Sequence, residues 1–316
     1  MILSNDDAVE TAATAGYRSR AYAESLAEFG EVLELPSSGG WMLARPTPQG
    51  PHRDAMGPYP LFGCRQWRGL NADVAALAGR AVCVSLVTDP LADVTPQQLG
   101  EVFTDVCSPF KEHYVCDLSR PLESVVAPHH RRHIRKALRA VEVRRCGADG
   151  ATLAQWNALY DALAARHGIE GIARFSPQSF ARQWAVPGMV ALAAMEGDHC
   201  CGMTLWYVDG DDAYYHLAAY SERGYELSAS YALFWTALRG FAAAGLRRAA
   251  LGAGAGVTAI ASGLTRFKQG WATETRTAYF CGRILDAAAY RSLSAGAPAA
   301  TRYFPAYRAP RGGLAA

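Results

Sequence analysis

The apolar positions of this chain change period along its second half. In "TLAQWNALYDALAARHG" they recur at helical spacing, as Leu153, Trp156, Leu159, Tyr160 and Leu163, and Gly168 supplies a stop. "SPQSFARQW" predicts a second helix, with Ser176 as N-cap and Pro177 first inside. The pattern then shifts to alternation and short apolar runs in "MVALAAME", "HCCGMTLWYV" and "AYYHLAAY". These read as three strands joined by the turn chemistry of "GD" and "DGDD". "SERGYEL" reads as a loop, and "SASYALFWTALRGFAAAG" as a long helix stopped by Gly245. "LRRAALG" and "TRTAYFCGRIL" read as strands and "DAAAYRSL" as a short helix.

The first half is a weaker mixture of helix and strand. "DDAVETAATAGYRSRAYAESLAEFG" has weak helical character, "GRAVCVSLVTD" contains a buried-type strand, and "HRDAMGPYPLFGC" between them reads as a Gly/Pro/aromatic loop. "TPQQLGEVFTDV" predicts a helix with Thr95 as N-cap and Pro96 next, and "HYVCDLS" a strand. "PHHRRHIRKALRAVEVRR", 128–145, reads as a helix with Arg131, Arg135 and Arg139 on one face and Ile134, Leu138 and Val141 as an adjacent apolar stripe. "GADG" after it suggests a domain boundary. The expectation is an α/β chain with α+β mixed sheets in two domains, 1–148 and 149–294. A tail, 295–316, would be loose or packed back on the N-terminal domain.

Composition narrows the class. Half of the 316 residues are hydrophobic and 19% are charged, an ordinary globular balance. No apolar run approaches the roughly 20 residues that span a bilayer, and the acidic N-terminus lacks the apolar core of a signal peptide. The eight cysteines are scattered without CxxC pairs, which fits reduced thiols, a cytoplasmic location and no metal site. A monomer is expected. The net charge of +2 is uninformative, but only three of the 31 basic residues are lysines: Lys111, Lys136 and Lys268. A lysine kept where arginine is the rule is a candidate for work that a compact ammonium does better.

The stretch "ALGAGAGVTAIASGLTRFKQGW", 250–271, invites a dinucleotide reading, which its spacing refuses. Gly252, Gly254 and Gly256 give G-x-G-x-G, Val257 stands where the third glycine is needed, and no acid follows before Glu274. The glycines read as a strand exit, either a plain loop or one that touches substrate. Lys268 reads as a solvated surface lysine or as one of the rare lysines kept for a task. The basic helix reads as a solvated face, a phosphate-binding face or a membrane-surface helix. His216 reads as a hydrogen-bonded core histidine or a general base, and its neighbours Tyr214 and Tyr215 point to opposite faces. No Ser-His-Asp or Cys-His spacing suggests a covalent intermediate.

The meander, helix, strand, loop and strand of the second half follow the order of a GNAT-type acyltransferase core. The segments "RRHIRKALR", "WNALYDALAARHGI", "FSPQSF", "GMTLWY", "AYYHLAAYSERGYELSASYALFWTAL", "LGAGAG" and "GLTRFKQGW", in that order, resemble the Fem-type (FemAB/FemX-like) branch of the GNAT superfamily. "DAMGPYPLFG" is similar to that group's D-x-x-x-P-Y loop. The resemblance covers about residues 50–290 and implies two tandem GNAT-like domains. It also implies aminoacyl transfer from aminoacyl-tRNA to the amine of a peptide or small-molecule acceptor, with no resident cofactor.

By that resemblance Lys268 supports transfer, and His216, on a strand expected to line the cleft, is the candidate base. Asp54, Tyr59, Arg135, Lys136, Tyr215 and Phe267 would meet substrate, and Arg131, Arg132 and Arg139 the tRNA. Acyl-CoA-binding relatives carry Q/R-x-x-G-x-G/A before the long helix. Here that frame reads R-G-Y-E-L-S from Arg223, without glycine at either required position. Acyl-CoA as donor, for N-acetyl transfer, is one alternative; a non-catalytic peptide- or tRNA-binding relative is another.

Overall fold

The computed structural model describes residues 14–254, 263–298 and 301–309. In chain order the elements are α1 (Arg20–Ser25), β1 (Glu31–Leu35), β2 (Gly40–Pro46), β3 (Arg53–Met56), α2 (Leu70–Ala76), β4 (Cys83–Val87), α3 (Pro96–Val102) and β5 (Val106–Asp117). Then come α4 (Leu122–Val125), α5 (Pro128–Ala140), β6 (Glu142–Cys146), α6 (Gly150–His167), α7 (Pro177–Trp184), β7 (Met189–Glu196), β8 (His199–Asp209) and β9 (Asp212–Tyr220). The last are α8 (Glu222–Glu226), α9 (Ala229–Ala243), β10 (Arg248–Ala253), α10 (Gly263–Gln269), β11 (Glu274–Ile284) and α11 (Ala287–Ser294).

Two units emerge. Among the described residues, one holds 14–16, 112–254 and 263–276, and the other holds 17–111, 277–298 and 301–309. The division falls near residue 111 rather than at 148/149, for two physical reasons. α5 and the residue that ends it bury Ile134, Ala137 and Val141 in a core shared with α9. The segment after it, expected to continue the helix, is instead β6, paired antiparallel to β7 from Glu142↔Met195 to Cys146↔Ala191. The "GADG" signal is a helix start, since Asp149 caps α6 by accepting from Thr152 N–H at 2.9 Å. Leu138, expected in the apolar stripe, is 42% exposed.

The 112–276 unit carries the strands in the order β5-β10-β9-β8-β7-β6. β10 is parallel to β9, and the other neighbours are antiparallel. Alternation along the strands splits the side chains between two faces. Val190, Leu192, Ala194, Trp206, Val208 and Ala213 join Leu233, Phe234, Leu238 and Phe241 of α9 in one core. On the other face Trp156 and Tyr160 of α6 stack on each other and meet Phe180 edge-on, and Phe180 in turn meets Phe175 edge-on. Burying each such ring or aliphatic side chain contributes about 1.5–3 kcal/mol, which is what orders the unit.

In the 17–111 unit the strand order is β1-β2-β3-β4-β11. β3, missed in the expected loop 52–64, pairs with both β2 and β4. Its core holds Leu35, Met42, Phe62, Leu86 and Phe103. The tail packs back on this unit: Tyr307 O–H and Arg308 Nε–H donate to Asp54 at 3.0 and 2.5 Å. All eight cysteines are free thiols. Among the described residues no helix is long and apolar enough to cross a membrane.

Candidate active site

β9 and β10 run side by side only over Asp212–Tyr214 and Arg248–Ala250. Tyr215 is thus the first β9 residue past the paired stretch. On β10 the pairing with β5 slips between Ala250 and Ala253, and Gly252 takes φ +78° there. Lys268 of α10 fills the place where the strands part. Its Nζ donates to the Ala253 carbonyl at 2.6 Å and lies 5.3 Å above the Tyr215 ring, and the residue is 5% exposed. Burying an ammonium is costly unless polar partners meet it, and a carbonyl dipole and a ring face both do so. Gly252 is required twice: its φ suits glycine, and a Cβ there would stand 2.9 Å from Lys268 Nζ. Gly254 faces Thr265 of α10 at a similar closeness. Gly256 lies outside the described residues. The solvated reading of Lys268 is overturned, because the side chain points into the protein.

Phe267 turns the other way. Its ring packs 4.9 Å from Phe234 and 5.0 Å from Tyr231, so it seats α10 on α9 by apolar contact. Tyr215 packs on Trp206 and Phe234 beneath the ammonium, and burial raises its hydroxyl pKa.

His216 lies on the opposite face of β9. Its Nε2 is 2.9 Å from Oε1 of Gln183 on α7, and its ring lies among Tyr207 and Phe175. Burial depresses its pKa to about 3, which keeps it neutral. Leu205 pairs with Leu217 and Trp206 with Tyr215, leaving His216 as the extra residue of a bulge. The structure therefore does not bring His216 and Lys268 together as acid–base partners.

Two histidines missed from the sequence stand nearer. His113 of β5 is the ladder partner of Ala253, whose carbonyl holds Lys268. His130 of α5 contacts the backbone of α10. The available signal for His130 was its i, i+4, i+7 spacing with Ile134 and Ala137, which puts it on the buried side of a cationic helix.

The cations on that helix face outward. Arg132, Arg135, Lys136 and Arg139 line one open hollow of about 510 Å³, and among the described residues none of the four is in an ion pair with a carboxylate. The shared face is 132/135/136/139 rather than 131/135/139, because Arg131 turns back to donate to the Glu123 carbonyl at 2.7 Å. Asp54 and Tyr59 belong to the 17–111 unit. Asp54 is 1% exposed and accepts from Arg45, Tyr307 and Arg308, so its carboxylate holds its own chain together. The Tyr59 carbonyl accepts from Tyr22 O–H at 2.5 Å, and its side chain is partly exposed.

A buried ammonium beside a strand opening can stabilise an oxyanion forming on a carbonyl placed there. The segment before α9 offers no glycine cradle for pyrophosphate. It folds as α8, capped by Ser221 Oγ accepting from Gly224 N–H at 3.1 Å, and a Cβ at Gly224 would collide with the Cys201 carbonyl. That glycine serves close packing. Among the described residues no cluster of three or more His, Cys, Asp or Glu could hold a metal ion.

Residues 128–269 match the family described as acetyltransferase (GNAT) domain. None of the curated proteins compared with the chain matches it. Among solved structures, FemX superposes with a TM-score of 0.67 at 14% identity, covering 92% of this chain and 98% of its own. A C-terminal domain assigned to a lysylphosphatidylglycerol synthetase of Agrobacterium fabrum gives a TM-score of 0.60 at 13% identity, over 90% of this chain and 92% of its own. L-PGS from Bacillus licheniformis gives 0.53 at 12%, over 84% and 92%. Residues 128–269 are therefore similar to a GNAT domain, and the chain as a whole shares the fold of FemX.

Proposed function

We propose that this protein forms an amide by transferring an aminoacyl group from aminoacyl-tRNA to the amine of a peptide or small-molecule acceptor. The observation that carries the reading is Lys268, buried where β9 and β10 part and aimed by the Ala253 carbonyl and the Tyr215 ring. In the reaction the acceptor nitrogen attacks the ester carbonyl carbon, and the electron pair moves to the carbonyl oxygen, beside the ammonium. Collapse breaks the ester bond; the ribose oxygen takes up a proton and the attacking nitrogen gives one up. A fixed cation at the developing oxyanion lowers that barrier without reorganising solvent. Two further features support the reading. The outer face of α5 is suited to phosphates, and one similar structure is named for a product in which lysine is joined to phosphatidylglycerol. The glycine-poor α8 argues against an acyl-CoA donor.

The test incubates the protein with a mixture of charged tRNAs and a cell extract and looks for new amides by mass analysis. Transfer should appear, and Lys268→Ala should lower it on the order of 100-fold, about 3 kcal/mol. Full activity in the folded variant would remove Lys268 from the chemistry. Thermal stabilisation by acetyl-CoA without retention of charged tRNA would favour N-acetyl transfer. Charged-tRNA binding without turnover would favour a non-catalytic role.

A further inference from the structure

α10 is too short to hold Lys268 in place unaided. The helix spans seven residues and ends irregularly: Trp271 N–H donates to the Lys268 carbonyl at 3.1 Å, a tighter turn than an α-helix makes. That leaves the Phe267 carbonyl, one residue before Lys268, among the end carbonyls that need a donor from elsewhere. His130 supplies it, with Nε2 at 2.9 Å. A carbonyl only accepts, so Nε2 carries the proton; burial keeps the ring neutral, which leaves Nδ1 as an acceptor. Nδ1 lies 2.7 Å from His129 Nε2, which therefore donates to it. The two histidines form a directed chain, His129 N–H to His130 to Phe267 C=O.

Packing fixes the same joint. The His130 ring is 1% exposed and lies against Gly270 so closely that a Cβ there would overlap it. Ala127 N–H, just before α5, donates to the Gly270 carbonyl at 2.9 Å. Tyr231 and Trp271 meet the ring edge-on at 5.0 and 5.1 Å, and Phe267 stacks on it at 5.6 Å. The start of α5 and the residue before it thus clamp the chain on both sides of Lys268, at Phe267 within α10 and at Gly270 just after it.

The geometry points to His130 as a positioning residue for Lys268: by holding the Phe267 carbonyl and the Gly270 backbone, it sets where the ammonium stands against Ala253 and Tyr215. The inference rests on the reading of Lys268 given above. It assigns work to a histidine that touches no reacting atom, and it gives α5 a second task beside its cationic face.

The experiment exploits the three lysines. In protein labelled with ¹⁵N-lysine, each ammonium gives its own NMR signal, and Lys268→Arg identifies the third. His130→Leu, which fills the space but donates nothing, should shift or broaden the Lys268 signal and leave Lys111 and Lys136 in place. His130→Gln, which keeps an N–H toward Phe267, should return it most of the way. In transfer assays His130→Leu should lower kcat roughly tenfold or more, as small misplacements of a catalytic group do, with KM for charged tRNA nearly unchanged. Should His130→Leu not fold, His129→Phe carries the test, since it removes the donor that fixes the ring's tautomer and should move the same signal in a smaller degree. An unmoved Lys268 signal in a folded His130→Leu, or in His129→Phe where that variant carries the test, overturns the inference. A signal that follows His130 in a protein showing no transfer supports the positional link and overturns the aminoacyl-transfer reading instead.

Discussion

Asp54 and the outer face of α5 are both charged regions that the sequence singles out, and they differ in what answers the charge. The Asp54 carboxylate is enclosed, and each oxygen is met by the chain: Arg45 on one, Tyr307 and Arg308 on the other. Two of those donors come from the C-terminal tail, so the carboxylate pins a segment about 250 residues away in sequence. On α5, four cations share an open hollow and, among the described residues, meet no carboxylate. Buried charge answered within the fold is architecture; exposed charge of one sign left unanswered is available to a ligand. Residue type alone does not separate the two cases, because an aspartate in a Pro/Tyr loop and an arginine on a helix are equally plausible binders.

The largest effect should come from breaking the answered charge. Asp54→Ala leaves Arg45 and Arg308, each about one-fifth exposed, without their counter-ion. Removing one partner of a buried pair costs about 3 kcal/mol. Urea unfolding should show that loss, and limited proteolysis should release the tail, while the polyanion binding proposed for α5 should be unaffected. A variant as stable as the native protein would show that the carboxylate is not structural and would reopen it as a ligand site.

Neutral buried groups should give the next effect. Burial holds the pKa of His130 near 4 and of His216 near 3, whereas an unfolded histidine titrates near 6.5. The unfolded chain therefore binds more protons between these values, and folding stability must fall as pH drops through that window. The stability is fully present above about pH 6.5, and each histidine should cost about 2 kcal/mol between pH 7 and pH 5. The groups facing His130 are the Phe267 carbonyl and ring, His129, His133, Tyr231 and Trp271, and those facing His216 are Gln183, Tyr207 and Phe175. His216→Gln and His130→Gln should each flatten the pH dependence of the unfolding midpoint. An unchanged slope in both would mean that the rings titrate normally and are not enclosed.

What the sequence disclosed follows from the range of the interactions. The caps at Thr95 and Ser176, the αL stop at Gly168 and the β7–β9 meander depend on neighbours a few residues away, and each was legible. β6 was not, because "VEVRR" continues a helical pattern and becomes a strand only by pairing with β7. Lys268 could be picked out as a rare lysine in a motif, but its burial depends on Ala253 and Tyr215. Alternation put Tyr214 and Tyr215 on different faces of β9, yet nothing local says which face receives α10. His130 was the hardest to see, since its partner carbonyl lies 137 residues away and its value rests wholly on that interaction.

The smallest change in free energy should come from the unanswered charge, and it tests the comparison from the other side. Replacing Arg132, Arg135, Lys136 and Arg139 together by glutamine removes four exposed cations and should leave folding stability within about 0.5 kcal/mol, as for surface sites without specific partners. Binding of tRNA, read by filter retention, should weaken by roughly tenfold to a hundredfold near 0.1 M salt. The slope of log affinity against log salt should flatten by up to about 3, at about 0.7 for each single-strand phosphate no longer neutralised. The slope is the stricter measurement, because a lower affinity alone could come from a tilted helix, whereas fewer released counterions can only mean fewer phosphates neutralised. An unchanged slope in a folded protein would make the outer face of α5 a solvated surface, leaving the inner face, with His130 against α10, as the functional side of the helix.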